Sequence, residues 1–118
     1  MKYKKNTFFD TILRLLAIKM GFIKGRQLVS IFSKSLMVDL DTPGISKAIY
    51  AENYREIDHT NIYSEKLEKK KKILDLGANI GYYTLQAASD SQEDSEIICI
   101  EPDPRNLELL RENVKNND

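Results

Sequence analysis

Hydrophobic residues recur at helical spacing between Phe8 and Phe22, and this pattern predicts an amphipathic helix that ends near Gly21 or Gly25. The longest uncharged apolar run, Leu15 to Ile18, is far shorter than a membrane-spanning segment. The helix is therefore expected to rest on a surface, either that of the domain or that of a membrane. Its apolar face consists of Phe8, Phe9, Ile12, Leu13, Leu16 and Met20.

The middle of the chain gives weaker patterns. Alternating apolar and polar residues from Leu36 to Leu40 predict a short strand, and Asp41 to Gly44 supplies a turn. The pattern from Ile45 to about Tyr50 leaves open a helical turn or a second short strand. Glu56 to Lys70 predicts a helix whose lysine-rich end is expected in solvent, with a phosphate-binding patch as the alternative. Its inward residues are expected to be Ile57, Thr60, Tyr63 or Ile62, and Leu67.

Strands and helices alternate over the last third of the chain. The patterns predict a strand at Lys72–Leu76, a glycine turn at Gly77–Gly81, a helix at Tyr82–Ala88, a strand at Glu96–Ile100 and a helix at Pro104–Asn113. Leu107, Leu110 and Val114 are expected on the inner side of the last helix. This order predicts two parallel strands joined by a right-handed crossover, hence an α/β fold of the doubly wound, Rossmann-like type. Residues 1–70 would form an N-terminal helical and β cap, and residues 71–118 the first βαβα unit.

Charge is distributed unevenly along the 118 residues. The formal net charge is zero, which gives no case for nucleic-acid binding. Residues 1–26, however, carry seven Lys or Arg against one acid, a local charge of +6, and the rest of the chain carries −6. The basic helix would either dock its apolar face on the domain and leave its lysines in solvent, or lie on an anionic membrane surface.

A single cysteine and a single histidine limit the chemistry of the chain. Cys99 lies in an apolar run and is expected to be a buried small hydrophobe of a reducing, cytoplasmic compartment. His59 is expected to be a surface residue rather than a catalytic base. No metal site is expected, because a cluster of His and Cys ligands is absent from the sequence.

Candidate chemistry gathers at the ends of the two predicted parallel strands. Asp75 lies near the carboxyl end of the first strand, Gly77 and Gly81 bracket the turn after it, and Glu101 closes the second strand. Ligands of open α/β sheets bind beyond the carboxyl ends of the strands, so these residues are expected to face one crevice. Asn79 would either cap the following helix or contact the ligand.

The nature of the ligand follows from the glycine spacing and the acids. A dinucleotide fingerprint would need glycines where Asn79 and Tyr82 stand, and a carboxylate beside a pyrophosphate would be repelled. S-adenosylmethionine lacks phosphates and carries an ammonium and a sulfonium, which Asp75 would attract. Glu101 is placed to accept hydrogen bonds from the ribose hydroxyls. The pattern therefore favours a cationic nucleoside without phosphates.

Two segments resemble a known family. Asp75–Gly81 and Ile100–Pro104 look like the first two motifs of class I S-adenosylmethionine-dependent methyltransferases. The fuller stretches DLGANIGYYTL and EPDPRNLELLRENVKNN are similar to the FkbM family, and the resemblance extends over about residues 39 to 117. It implies S-adenosylmethionine as cofactor, O-methylation of a sugar or secondary-metabolite hydroxyl, and a small-molecule or glycan acceptor.

The resemblance also implies roles for individual residues. One group would shape the methionine end of the cofactor site: Asp75, Gly77, Ala78, Asn79 and Gly81. Glu101 would hold the ribose, with Pro102 and Asp103 beside the adenine. Glu56 matches an acid that the family has ahead of the glycine motif, and it would cap or line the pocket.

Class I enzymes of this kind have a seven-stranded sheet, and this sequence contains the first two of those strands. The chain is therefore expected to be the front half of an enzyme that a C-terminal half completes, with no catalytic base assignable. A non-catalytic fragment or split subunit is one alternative, and another Rossmann-like nucleotide binder is a second. The open sheet is expected to make the 118 residues prone to aggregation.

Overall fold

Five helices and four strands make up the fold, and the computed structural model describes all 118 residues. The α/β class predicted from the sequence is confirmed. In chain order the elements are α1 (Phe8–Lys19), β1 (Arg26–Ile31), β2 (Lys34–Asp39), α2 (Ser46–Glu52), α3 (Ile57–Leu67), β3 (Lys72–Leu76), α4 (Tyr82–Asp90), β4 (Glu96–Ile100) and α5 (Pro104–Lys115).

The strands form two separate two-stranded sheets. Strands β1 and β2 form an antiparallel hairpin, in which Ile31 pairs with Lys34. Strands β3 and β4 are parallel, as predicted, with Asp75 opposite Cys99, and helix α4 connects them. Parallel strands need such a crossover because the chain must return to the starting edge before the second strand begins.

The predicted elements of the last third agree closely with the structure. Strands β3 and β4 have the predicted bounds, and α4 and α5 each continue two residues further than predicted. The region from Ile45 to Tyr50, which the sequence left open, belongs largely to helix α2. Strand β1 was not predicted.

The hydrophobic core lies between the β1–β2 hairpin and helices α2, α4 and α5. Both the predicted cap (residues 1–70) and the predicted βαβα unit (71–118) contribute side chains to it. At its centre the ring of Phe32 makes edge-to-face contacts with Tyr3 and Tyr82, with centroids 5.0 Å apart in each pair. The buried cluster is Tyr3, Val29, Ile31, Phe32, Leu36, Val38, Leu40, Ile49, Ile80, Tyr82, Leu85 and Leu109.

The inner face of α5 differs from the prediction. Leu110 is buried as expected, but Leu109 and Asn113 are buried in place of Leu107 and Val114. The hairpin turns this side of α5 inward, because the Asn113 side chain forms hydrogen bonds with the backbone of β2. Its Oδ1 accepts from Met37 N over 2.6 Å, and its Nδ2 donates to Met37 O over 3.0 Å.

Two further burial predictions hold only in part. In α3, Thr60 and Leu67 are buried as predicted, and of the alternatives Tyr63 and Ile62 it is Tyr63 that is half-buried, like Ile57. The small polar residues Asn61 and Ser64 also pack inward, which was not predicted. Asn61 is held there because its side chain bonds both the N–H and the C=O of Tyr3. Cys99 is half-buried rather than buried.

The β3–β4 sheet is covered on one face only. Residues on the α4 side, such as Ile73 and Ile97, are half-buried. On the opposite face, four large apolar side chains are between 51% and 68% exposed: Leu74, Leu76, Ile98 and Ile100. Parallel sheets of globular domains are normally covered on both faces, so this surface lacks its usual partner within the described chain.

None of the five helices combines the length and the apolar content that crossing a bilayer requires.

Candidate functional site

The glycine turn between β3 and α4 is held against the end of β4. The backbone N–H groups of Gly77 and Ala78 both donate to the carbonyl of Ile100, over 2.9 and 3.0 Å. Gly77 and Gly81 adopt φ angles of 75° and 98°, which glycine reaches without steric cost. At Gly81 a Cβ atom would also lie only 3.0 Å from a methyl group of Leu110, so this position needs glycine for two reasons.

The carboxylate of Glu101 organises the turn from the end of β4. Its Oε2 accepts from the backbone N–H of Asn79 over 2.7 Å, and its Oε1 accepts from that of Asp103 over 2.8 Å. Asn79 is a non-glycine residue with a positive φ of 53°, and the bond from Glu101 helps to hold it there. Each carboxylate oxygen keeps a further lone pair with which it could accept from a ligand hydroxyl.

A cavity of about 150 Å³ opens beside the turn, and we refer to it as the turn cavity. Residues from the turn, from α4 and from the segment before α3 line it together: Ile45, Arg55, Glu56, Gly77, Ala78, Asn79, Tyr82 and Tyr83. Four of the residues predicted to bind the cofactor, Glu56, Gly77, Ala78 and Asn79, therefore share one cavity. Asn79 does not cap α4. Gly81 is the N-cap residue, and no side chain caps the first N–H groups of this helix.

One cation and one anion line this cavity. The Glu56 carboxylate accepts a hydrogen bond from the Tyr83 hydroxyl over 2.8 Å. The guanidinium of Arg55 makes no ion pair with any carboxylate of the chain, so it keeps its donors free. Glu56 has a φ of 40°, an uncommon conformation for a residue with a side chain. Such strain is often found where a backbone is held for function.

Tyr82 positions this charged pair. Its hydroxyl accepts from the backbone N–H of Arg55 over 2.9 Å and lies 3.1 Å from the Thr60 hydroxyl. Burial raises the pKa of Tyr82, so its hydroxyl stays protonated at neutral pH. The segment before α3 is thereby attached to the first turn of α4, which brings Arg55 and Glu56 to the glycine turn.

Asp75 lies in a neighbouring cavity, which His59, Tyr63 and Tyr83 also line. Its Oδ2 accepts from the Thr84 hydroxyl over 2.7 Å. Tyr83 lines both cavities, whereas Asp75 lines only this second one. The two acids expected in one crevice, Asp75 and Glu101, are thus found in different surroundings, and Glu101 lines neither cavity.

The remaining predicted residues also lie outside the turn cavity. Gly81 is buried under α5, and Pro102 is exposed. Asp103 caps α5: its Oδ1 accepts from the backbone N–H of Arg105 over 2.8 Å. Hydrogen bonds from the Arg105 side chain lower the pKa of Asp103.

The Tyr83 hydroxyl connects Glu56 with His59. Burial raises the pKa of Tyr83, and its hydrogen bond to Glu56 raises it further. The hydroxyl therefore stays protonated and donates its hydrogen bond to Glu56. In the 3.0 Å contact with His59 Nδ1 it can then only accept, which requires a hydrogen on that nitrogen. His59 is exposed, as expected, but it belongs to this hydrogen-bonded group.

Sequence reasoning missed Arg55 as a cavity residue. Its position next to Glu56 was the only available signal, because its placement depends on the hydroxyl of Tyr82, 27 residues further along the chain. Tyr83, which was not among the predicted site residues, lines both cavities.

Comparison with known proteins gives one structural relative. No family model matches the chain, and no curated protein is similar to it. The structure is similar to a crystal structure from Pyrococcus horikoshii that is described as a proposed transferase, with a TM-score of 0.60 and 15% sequence identity. The likeness is one of fold. It covers 91% of this chain and 43% of that protein, so the chain spans less than half of its relative's length.

Proposed function

We propose that this chain provides the cofactor-binding part of an S-adenosylmethionine-dependent methyltransferase of the FkbM type, with a class I, Rossmann-like fold. The observation that carries the proposal is the turn cavity, in which a glycine turn after a parallel strand meets one free cation and one anion. The relative described as a proposed transferase is compatible with this reaction class and does not specify it.

The charges of the turn cavity match the amino-acid end of the cofactor. That end carries a carboxylate and an ammonium, for which Arg55 and Glu56 are complementary partners. Gly77 and Ala78 present little or no side chain, so a ligand can approach the backbone closely. A pyrophosphate would be attracted by Arg55 but repelled by the carboxylate of Glu56, so this pair of charges complements an amino acid better than a dinucleotide.

The remaining acids take separate roles under this proposal. Glu101, at the end of β4, would accept from the ribose hydroxyls while it continues to hold the turn. Asp75 would act as a positioning residue, because its carboxylate accepts from Thr84 and it does not line the turn cavity.

S-adenosylmethionine supplies a methyl group on a positively charged sulfur, which makes transfer to a sugar or secondary-metabolite hydroxyl chemically easy. The protein then has mainly to hold the two reactants in line, and such alignment supplies a large part of the rate gain. Arg55 and Glu56 would fix the amino-acid end. The acceptor site, a glycan or small-molecule pocket, would be formed where further strands and helices complete the β3–β4 sheet.

Calorimetric titration of the 118-residue chain with S-adenosylhomocysteine and with NAD tests the proposal. We expect binding of S-adenosylhomocysteine only. Arg55→Met should weaken it about tenfold, the usual loss for one hydrogen bond between charged groups. Arg111→Met, which changes an exposed arginine of α5, is the matched control and should leave the affinity unchanged.

Two outcomes would overturn the proposal. One is NAD binding without S-adenosylhomocysteine binding, which would support a different nucleotide binder. The other is a folded chain, verified by circular dichroism, that binds neither compound.

A further inference from the structure

Helix α1 is attached to the protein by one narrow side of mixed polarity, from which Ile18 packs against the core cluster. None of its residues is buried, and its half-buried positions Thr11, Arg14, Ala17 and Ile18 lie on one side of the helix. Arg14 makes the anchoring contact: its guanidinium donates to the carbonyl of Tyr50 over 2.9 Å and lies over the Tyr50 ring. The helix is thus held with its other side turned away from the domain.

That outward side is apolar. We define the α1 apolar face as Phe8, Phe9, Leu13, Leu16, Met20 and the adjoining Phe22, whose exposed fractions range from 47% to 82%. The expectation that this helix docks its apolar face on the domain is therefore wrong, although its lysines are exposed as that expectation required. A continuous exposed patch of large apolar residues indicates an interaction surface.

Unpaired lysines lie within helix α1 and on either side of it along the chain. Three cations near the helix are paired within the chain. Lys2 pairs with Asp90, Lys5 with Glu52, and Arg26 with both Glu108 and Glu112. The other three lysines of the same segment form no ion pair: Lys4, Lys19 and Lys24. The one acid of residues 1–26, Asp10, is hydrogen-bonded to Thr7 at the start of the helix.

Charge decides between the candidate partners of this surface. A second copy of the chain would bring a second set of unpaired lysines against the first, and like charges would oppose the contact. An anionic lipid surface offers hydrocarbon for the phenylalanines and leucines and negative headgroups for the lysines. Phenylalanine and leucine facing a membrane, with lysines beside them, are the usual composition of a helix that lies in the interface.

We propose that α1 is an interfacial helix that binds the protein peripherally to an anionic lipid surface through the α1 apolar face, with Lys4, Lys19 and Lys24 contacting the headgroups. This proposal is independent of the methyltransferase proposal, because none of its residues lines the turn cavity.

Co-sedimentation of the 118-residue chain with lipid vesicles tests the proposal. We expect binding to vesicles of phosphatidylcholine mixed with phosphatidylserine, weak binding to phosphatidylcholine alone, and weakening by salt. The double variant Leu13→Glu/Leu16→Glu should lose at least tenfold in partitioning. Each of Lys19→Gln and Lys24→Gln should lose about fivefold on the anionic vesicles.

A matched control distinguishes binding through the α1 apolar face from nonspecific hydrophobic binding to vesicles. Ile98→Glu removes an equally exposed apolar residue from the bare face of β3–β4 and should bind vesicles like the parent chain. Circular dichroism verifies that every variant is folded. Equal binding by the parent and the Leu13→Glu/Leu16→Glu variant would overturn the proposal. So would a lipid-free dimer that this double variant dissociates, since the face would then serve a second copy.

Discussion

The carboxylate of Glu101 and the backbone N–H of Asn79 are joined by a hydrogen bond of 2.7 Å. This bond connects the end of β4 to the glycine turn that follows β3. The same carboxylate also accepts from Asp103 N, at the start of α5. One side chain therefore fixes two loops at the carboxyl edge of the sheet, where ligands of α/β proteins bind.

Glu101→Ala should lower the free energy of unfolding by about 2 kcal/mol, because two backbone N–H groups lose a charged acceptor. Urea unfolding followed by circular dichroism measures the change. Glu93→Ala, in the loop before β4 and without a hydrogen bond to the rest of the chain, is the control and should change stability by less than about 0.5 kcal/mol. Equal midpoints for the two variants would show that Glu101 does not hold the turn.

Alanine substitution at the two turn glycines should have unequal effects. The added Cβ of Gly77→Ala would have no atom within 4 Å. The substitution should therefore lower the free energy of unfolding only by the strain of a positive φ, about 1–2 kcal/mol. Gly81→Ala carries the same strain and also contacts Leu110 at 3.0 Å, so it should cost more. Urea midpoints of the two variants give the order. A reversed order would mean that Leu110 moves away at no cost.

The fold of the last third could be predicted because its signals are local. Apolar strands, the glycines at 77 and 81 and the proline at 104 each specify their own segment, and they agree with one another. Strand β1 could not be predicted in this way. The turn of its hairpin consists of Phe32 and Ser33, both with positive φ, where Asn, Asp or Gly is usual. Burial of the Phe32 ring among Tyr3, Tyr54 and Tyr82 stabilises this turn, and those residues are distant in sequence.

The candidate site likewise contains residues that local sequence patterns place and residues that only tertiary contacts place. Gly77, Ala78 and Asn79 reach the turn cavity because the turn directly follows β3. Asp75 was expected to contact the ligand, but alternate residues of a strand face opposite sides, and Asp75 faces Thr84 on α4. Arg55 reaches the cavity through a tertiary hydrogen bond to Tyr82, which no local pattern reveals.

Asp90 should make stability sensitive to acid. Burial of this carboxyl would raise its pKa, but hydrogen bonds from Lys2, Tyr3 and Ser64 outweigh burial and lower it below 3.8. A carboxyl with a lowered folded-state pKa stabilises the fold above the unfolded pKa, and this contribution is lost as pH falls through the folded value. Stability should therefore decline below pH 3.8.

The variant Asp90→Asn isolates this contribution. It should be less stable than the parent at neutral pH, because it loses the ion pair with Lys2 and the charged acceptor of Tyr3. The difference between the two urea midpoints should then shrink as the pH is lowered below 3.8. A constant difference across the pH range would contradict the assignment to Asp90.

Tyr83→Phe should weaken the cofactor site without unfolding the protein. The variant keeps the ring but removes the hydroxyl that holds the Glu56 carboxylate. Under the proposed function, S-adenosylhomocysteine should bind about three- to tenfold more weakly, the usual effect of one lost hydrogen bond. Tyr63→Phe is the control, because the Tyr63 hydroxyl makes no hydrogen bond in the structure and does not line the turn cavity. Equal losses in both variants would assign the effect to packing.

The bare face of the β3–β4 sheet should make the 118-residue chain bind hydrophobic dyes and aggregate at high concentration. Leu74 and Ile98 are more than half exposed, and the double variant Leu74→Thr/Ile98→Thr should reduce both effects while it keeps the preference for strands. Ile62→Gln is the control, because Ile62 is as exposed as Leu74 but lies singly on α3. Light scattering and dye fluorescence measure the outcome. A monomer that melts sharply and binds no dye would show that this face needs no cover, and it would remove the structural reason for a complementing part of the sheet.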